Sequence, residues 1–142
     1  MNEQSVMQML EAYKNAVYAK DVDALVALYA DDVQVFDMWG TWLYNGINAW
    51  RGMIADWFGS LGTERVVVEF DDVKITVSDT MALIHAIVTY AGESADGERL
   101  RAMHNRMTLV LQPYHGAWKI VHEHTSSPID FATGKVMLKR VV

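Results

Sequence analysis

The chain has 142 residues, 51 % of them hydrophobic and 21 % charged, which is the composition of a globular protein and the length of one domain, 1–142. A net charge of −6 argues against a nucleic-acid backbone or an anionic membrane surface as partner, because both need an excess of Lys and Arg. The absence of cysteine excludes disulfides, thiol nucleophiles and Cys-ligated metals, so any chemistry rests on His, Asp, Glu, Tyr or Arg.

The first ten residues, MNEQSVMQML, lack the basic start and apolar centre of a signal peptide, and no apolar run approaches the roughly 18 residues of a membrane span. A cytoplasmic location is the expectation. Val6, Leu10, Tyr13 and Val17 recur at helical spacing, which predicts an amphipathic helix from about Glu3 to Lys20 with Tyr13 on its buried face. Asp21 caps a second, shorter helix that carries Leu25, Leu28 and Tyr29. Beyond Asp31 and Asp32 a strand alternates Val33, Val35 and Asp37 with Gln34, Phe36 and Met38. A carboxylate there extends an apolar face. Desolvation raises the pKa of such a group and suits it to proton transfer; the alternative is an ordinary exposed strand end.

Four of the five tryptophans fall between Phe36 and Phe58. Asn45-Gly46 marks a turn, and Ile47, Trp50, Ile54, Trp57 and Phe58 form the stripe of a third helix ending near Gly59 to Gly62. Trp39 and Trp42 lie in a Gly-containing loop where no helix face requires them, a position from which large aromatics can floor or lid a cavity.

From Glu64 onward the pattern is of successive antiparallel strands joined by short loops. The first, Glu64 to Ser78, shifts phase at Asp71-Asp72 as a bulge does. Met81 to Ala91 is apolar on both faces apart from His85 and reads as an interior strand. Glu98 to Gln112 presents Met103, Met107, Leu109 and Leu111 on one face and His104, Arg106, Thr108 and Val110 on the other. Either the polar side lines a pocket while the apolar side seals against a second subunit, or Arg106 is solvated.

In the last strand Trp118, Ile120, His122, His124 and Ser126 share one face by strict alternation, opposite Lys119, Val121, Glu123 and Thr125. Two imidazoles thus continue an apolar face, either at a cavity mouth or as satisfied histidines near a strand end. The tail from Phe131, with Val136, Met137, Leu138, Val141 and Val142, is too apolar to be free. A lone His-x-His is a weak metal signal, and neither a metal nor a cofactor is assigned.

Helix, helix, strand, helix and a run of antiparallel strands ending in WKIVHEHTSSP resembles the nuclear transport factor 2-like superfamily over nearly the whole chain. Within it the chain is most similar to the SnoaL-like bacterial proteins and to the association domain of calcium/calmodulin-dependent kinase II. Arg106-x-Thr108, the Gly116 turn, Trp118, His122, His124 and Ser126 carry the likeness. It implies an α+β, cystatin-like fold in which a curled antiparallel sheet wraps N-terminal helices into a cone with an open pocket. It also implies pairing as a homodimer through the sheet.

The segment YKNAVYAKDVDALVALYADDVQVFD further resembles the opening of ketosteroid isomerase, which implies catalytic roles for Tyr13, as oxyanion donor, and Asp37, as the proton-moving base. The strand that supplies a second, aspartic donor in that enzyme offers His104, Asn105, Arg106 and Thr108 here, with no Asp.

The expected function is therefore small-molecule binding by Trp39, Trp42, Trp50, His104, Arg106, His122 and His124, with a hydrophobic ligand carrying a polar or acidic group. The alternatives are an acid/base isomerase, cyclase or dehydratase using Asp37 and Tyr13, or a homo-oligomeric association domain.

Overall fold

The structure, a computed structural model, describes residues 2–140. Helix α1 (Glu3–Ala19) starts at a capping box in which Asn2 and Ser5 satisfy each other's backbone N–H groups, and it ends at Lys20 in the left-handed region. Its buried face is Val6, Met9, Leu10, Tyr13, Ala16 and Val17, as the four-three-four spacing predicts. Helix α2 is shorter than expected, Val22–Val26, capped by the Asp21 carboxylate on the Ala24 N–H. Tyr29 is not on it.

Instead Tyr29 opens strand β1 (Tyr29–Phe36). A five-residue helix gains little from its own hydrogen bonds, whereas Tyr29 gains a ladder partner in Ile120. Strand β2 (Tyr44–Asn45) is a short edge piece, and Gly46, at φ +91°, turns the chain into helix α3 (Ile47–Ser60). The Gly46 N–H donates to the Val33 carbonyl at 2.7 Å, which ties that turn to β1. The remaining strands are β3 (Arg65–Val77), β4 (Ala82–Glu93), β5 (Arg99–Tyr114) and β6 (Ala117–Ser126).

All six strands form one curled, unclosed sheet in the order β2-β1-β6-β5-β4-β3. Neighbouring pairs are antiparallel except β1 and β6, which run parallel because the chain crosses between them through α3 and the β3–β5 meander. Hairpin β5–β6 closes through His115 and Gly116, both at positive φ, the requirement of a two-residue turn of this twist. Helices α1 and α3 lie on the concave side, and a single core cluster fills the space between them and the sheet. Among the described residues no helix is long and apolar enough to cross a membrane.

The ladders shift register in four places among the described residues, and the shift in β6 positions the site. In β3 the shift falls between Asp71 and Lys74, with Asp72 at φ +52°, where the doubled aspartate anticipates it. In β6, Val110 pairs with His122 and Leu111 with Ile120, so Val121 is the extra residue of a bulge. Trp118 and Ile120 face the core before it; Glu123 and Thr125 face the core after it. The alternation expected for β6 fails at this point, and the histidines pass to the convex side.

The tail is anchored through backbone. Leu138 accepts from the His104 N–H at 2.7 Å, and Ile129 bridges Val136. Phe131, Val136 and Met137 are nonetheless exposed, while Val141 and Val142 lie outside the described residues.

Candidate functional site

A cavity of about 550 Å³ opens on the concave side between α1, α3 and the inner face of β4, β5 and β6. Its walls are mainly apolar: Trp39, Tyr44, Trp57 and Met53 come from the β1–α3 region, with Val66 and Leu138 opposite. Trp50 stacks edge-on with Tyr29 and Tyr44 at centroid distances of 6.1 and 5.3 Å, and Trp57 meets Tyr90 at 5.9 Å. Such edge contacts hold the aromatic rims in place without filling the space between them.

The floor is polar. Tyr13 of α1 and Tyr90 of β4 share a hydrogen bond between their hydroxyls at 2.8 Å. Tyr29 donates to Oε1 of Glu123 at 2.6 Å. Glu123 is only 2 % exposed, and burial drives its carboxyl up from 4.5 to about 7, with the Asp37 charge adding to the rise and the Tyr29 hydroxyl opposing it. Burial also pushes the Tyr13, Tyr29 and Tyr90 phenols well above their ordinary range, so all three are donors at neutral pH.

Asp37, just beyond β1, sits half-buried at the cavity wall. Thr125 Oγ1 donates to its Oδ1 and the Trp39 N–H to its Oδ2, each at 3.2 Å. Burial raises its carboxyl pKa, and these two donors restrain the rise. Thr125 in turn accepts from the Met38 N–H at 3.0 Å, which locks the start of the tryptophan loop to β6.

Two buried polar atoms on lining residues have no hydrogen-bond partner among the described residues: Asn105 Oδ1 and Trp50 Nε1. Trp50 lies close enough to Tyr29 to lower that phenol's pKa slightly, but its indole N–H does not reach hydrogen-bonding geometry. The Asn105 amide N–H₂ points at the Met38 thioether at 3.4 Å, a weak acceptor.

Of the residues singled out from sequence, Tyr13, Asp37, Trp39 and Trp50 line this cavity. The other five lie elsewhere. Trp42 is 95 % exposed, because the loop turns it away from the Trp39 side. His104 is a clamp for the tail: its Nδ1 accepts from the Arg140 N–H at 2.7 Å, and its carbonyl accepts from Ser127. Arg106 is on the convex face, where its Nε donates to Ser126 at 3.1 Å. Thus the apolar side of β5 meets the protein's own core and the polar side faces outward.

His122 and His124 flank Phe36 edge-on at 4.8 and 5.4 Å on that same convex face, and His122 Nδ1 lies 2.8 Å from the Gln34 carbonyl. Among the described residues no group of three or more His, Asp or Glu is placed to hold a metal ion.

The residues that sequence reasoning missed are Tyr29, Tyr90, Asn105 and Glu123. A usable signal for Glu123 was present: Ile120-Val121 puts two apolar residues side by side in an otherwise alternating strand, as Asp71-Asp72 puts two acids together at the other bulge.

A cone of curled sheet closed by helices around an aromatic cavity defines a protein of the nuclear transport factor 2-like, cystatin-like class. The SnoaL-like domain model matches residues 6–130, and the chain belongs to that family. An NTF2-like protein of unknown function from Pseudomonas putida KT2440 is similar to it at 26 % identity. That match covers 99 % of this chain and 96 % of that one at a TM-score of 0.85.

A protein described as a candidate scytalone dehydratase from Novosphingobium aromaticivorans superposes with a TM-score of 0.76 at 16 % identity, covering 98 % and 88 % of the two chains. A candidate calcium/calmodulin-dependent kinase II association domain from Xanthomonas campestris gives 0.70 at 16 % identity, covering 89 % and 87 %. At these identities the likeness is one of fold. No curated protein matches the chain.

Proposed function

We propose that this single-domain SnoaL-like protein binds a hydrophobic, aromatic or polycyclic small molecule that carries an oxygen function. The observation that carries the reading is the cavity itself: about 550 Å³, walled by aromatic rings and ending on three phenols and a carboxyl. That volume and that division between apolar walls and a few convergent polar groups suit a drug-sized ligand, with area supplying affinity and the floor supplying orientation. Trp39, Trp50 and Trp57 line the space, so occupancy reports through tryptophan fluorescence. Titration with fused-ring ketones should quench it saturably. Absence of saturable binding across such a panel, together with no co-purified organic mass by native mass spectrometry, removes the reading.

Acid/base catalysis is the second reading, favoured by one arrangement. Asp37, a carboxylate made more basic by burial, lines the same cavity as the Tyr13–Tyr90 hydroxyl pair. Asp37 would take a proton from carbon next to a carbonyl, and Tyr13 would donate to the oxygen on which charge develops, giving isomerase, cyclase or dehydratase chemistry. The name of the Novosphingobium neighbour lends this class some support. Asp37→Asn separates the readings, since turnover collapses while binding persists.

The homodimer implied by the family likeness is a proposal of the same standing. It is supported by the convex face, where exposed Phe36 and Leu83 share the sheet with half-buried Ile87 and Val110, and exposed Met81 lies just before β4. Sedimentation at micromolar concentration checks it; a monomer, or a large ring of the association-domain kind, overturns it.

A further inference from the structure

The inner end of the cavity holds carboxyls and phenols and no Lys, Arg or His side chain. Tyr13 of α1, Tyr29 and Asp37 of the β1 segment, Tyr90 of β4 and Glu123 of β6 are its titratable groups, with Asn105 of β5 and Trp50 of α3 as neutral neighbours. Arg101 is the only cation among the described lining residues, and its guanidinium is held by Glu64 at 2.7 Å.

The Asp37–Tyr13 pair calls on neither Tyr29 nor Glu123, and of these two the acid is Glu123. Tyr29 occupies its Oε1, and no other hydrogen bond to the carboxyl exists among the described residues. A carboxylate at this depth would have one donor, no cation and a second carboxylate as neighbour, so the proton is held to a higher pH than on an ordinary carboxyl. A carboxylic acid held neutral in an apolar site is a hydrogen-bond donor.

We propose that Glu123, as a neutral acid, donates a hydrogen bond to an uncharged carbonyl oxygen on the ligand, so that the site prefers ketones, aldehydes or esters to carboxylates and takes up a proton on binding them. This rests on the cavity being the ligand site. The selection follows from charge: an anionic ligand end at the floor would meet Glu123 and Asp37, while the one cation among the described lining residues, Arg101, is largely exposed and paired with Glu64, whereas a carbonyl needs only the donors already present. The proton uptake follows from linkage. The ligand engages the protonated form, so any ionised Glu123 must first recover a proton from solvent. Tyr13, Tyr29, Tyr90 and, nearer the mouth, Tyr44 stay protonated throughout the neutral range, which leaves Asp37 as the competing carboxyl among the described lining residues.

The test uses three probes on one ring system, 2-acetonaphthone, naphthalene and 2-naphthoate, titrated against tryptophan fluorescence at pH 6 and pH 8. Acetonaphthone should bind at least about tenfold more tightly than naphthoate at pH 6, an order of magnitude being the usual cost of leaving a buried charge or donor unmatched. Its affinity should weaken about tenfold by pH 8, since a group titrating near 7 is then about one-tenth protonated. In Glu123→Gln, which keeps a neutral donor, the pH dependence should vanish while naphthalene, the check that the cavity is intact, binds as before.

Naphthoate binding as well as the ketone overturns the proposal, and so does a pH dependence that survives in Glu123→Gln, which would point to Asp37. If none of the three probes binds, the cavity reading itself has failed. Should Glu123→Gln not fold, calorimetry of the native chain with acetonaphthone at pH 7.5 in phosphate and in Tris measures proton uptake directly. Zero uptake then overturns the proposal.

Discussion

The two faces of strands β5 and β6 both carry polar side chains and use them oppositely. On the convex face His122, His124 and Arg106 are arranged around Phe36, Gln34 and Ser126, partly in contact with water. On the concave face Glu123, Thr125 and Asn105 are buried almost completely, at 2, 4 and 5 % exposure, and all three hydrogen-bond to β1 or its loop, Asn105 only through the weak Met38 thioether acceptor. Residue type pointed to the first set, since histidine is the more familiar catalytic side chain. Burial points to the second, because the energetic consequence of a polar group scales with how much water it has lost.

The sharpest break between the faces is expected at Asp37. If the cavity is catalytic, Asp37→Asn should lower turnover by 10²- to 10⁴-fold, roughly the worth of a general base, with ligand affinity changed less than about threefold. Replacing His122 or His124 by alanine should leave turnover within about twofold, since neither reaches the cavity. Steady-state kinetics on the three variants checks this, and a histidine variant as damaged as Asp37→Asn would erase the distinction drawn here.

Next in size is the pH dependence of stability. The Glu123 carboxyl is higher folded than unfolded, about 7 against 4.5, so between those values the folded protein holds more protons than the unfolded one. Stability is therefore full below about 4.5 and is lost as pH rises through 7. The rise corresponds to about 3 kcal/mol. Urea unfolding at pH 5 and pH 8 should show a fall of that order attributable to this residue, flattened in Glu123→Gln and unaffected by Arg106→Ala.

Tyr29→Phe removes the single donor to Glu123 among the described residues. It should cost about 2 kcal/mol above pH 7, a typical value for a hydrogen bond to a charged group, and should move the Glu123 titration further up. Carboxyl chemical shifts followed by NMR would read the direction; a downward move contradicts the geometry. Smallest of all, His122→Ala, His124→Ala and Trp42→Ala should each change stability by less than about 1 kcal/mol and probe affinity by less than about twofold, the range of surface substitutions. A larger change at the histidines would point to convex-face packing absent from the single chain, as a second subunit would supply.

Much of the fold is legible in the amino-acid order. The stripe Val6, Leu10, Tyr13, Val17, the Asn45-Gly46 turn, the Asp71-Asp72 bulge and the meander of strands are local signals, each written within one or two turns or hairpins, and each appears where expected. That Tyr13, Asp37, Trp39 and Trp50 line the cavity was legible from signals of the same local kind: Asp37 continues the Val33, Val35 face by plain alternation, and Tyr13 and Trp50 lie on helix stripes that point inward. Tyr29 was read into a helix because Leu25, Leu28 and Tyr29 fit helical spacing as well as Tyr29, Asp31 and Val33 fit a strand.

The amino-acid order by itself thus determined which segments are helix and strand, which side of most of them is apolar, and that tryptophans crowd one end of the fold. The placement of β6's polar residues was decided only in three dimensions. A strand's alternation carries phase but no marker of where the phase slips, and the slip at Val121 exists because Val110 and Leu111 of β5 pair with His122 and Ile120 across the hairpin. One extra residue in that register turned two histidines out to the convex face and brought an acid from β6 to meet a tyrosine from β1, 94 positions away in the chain.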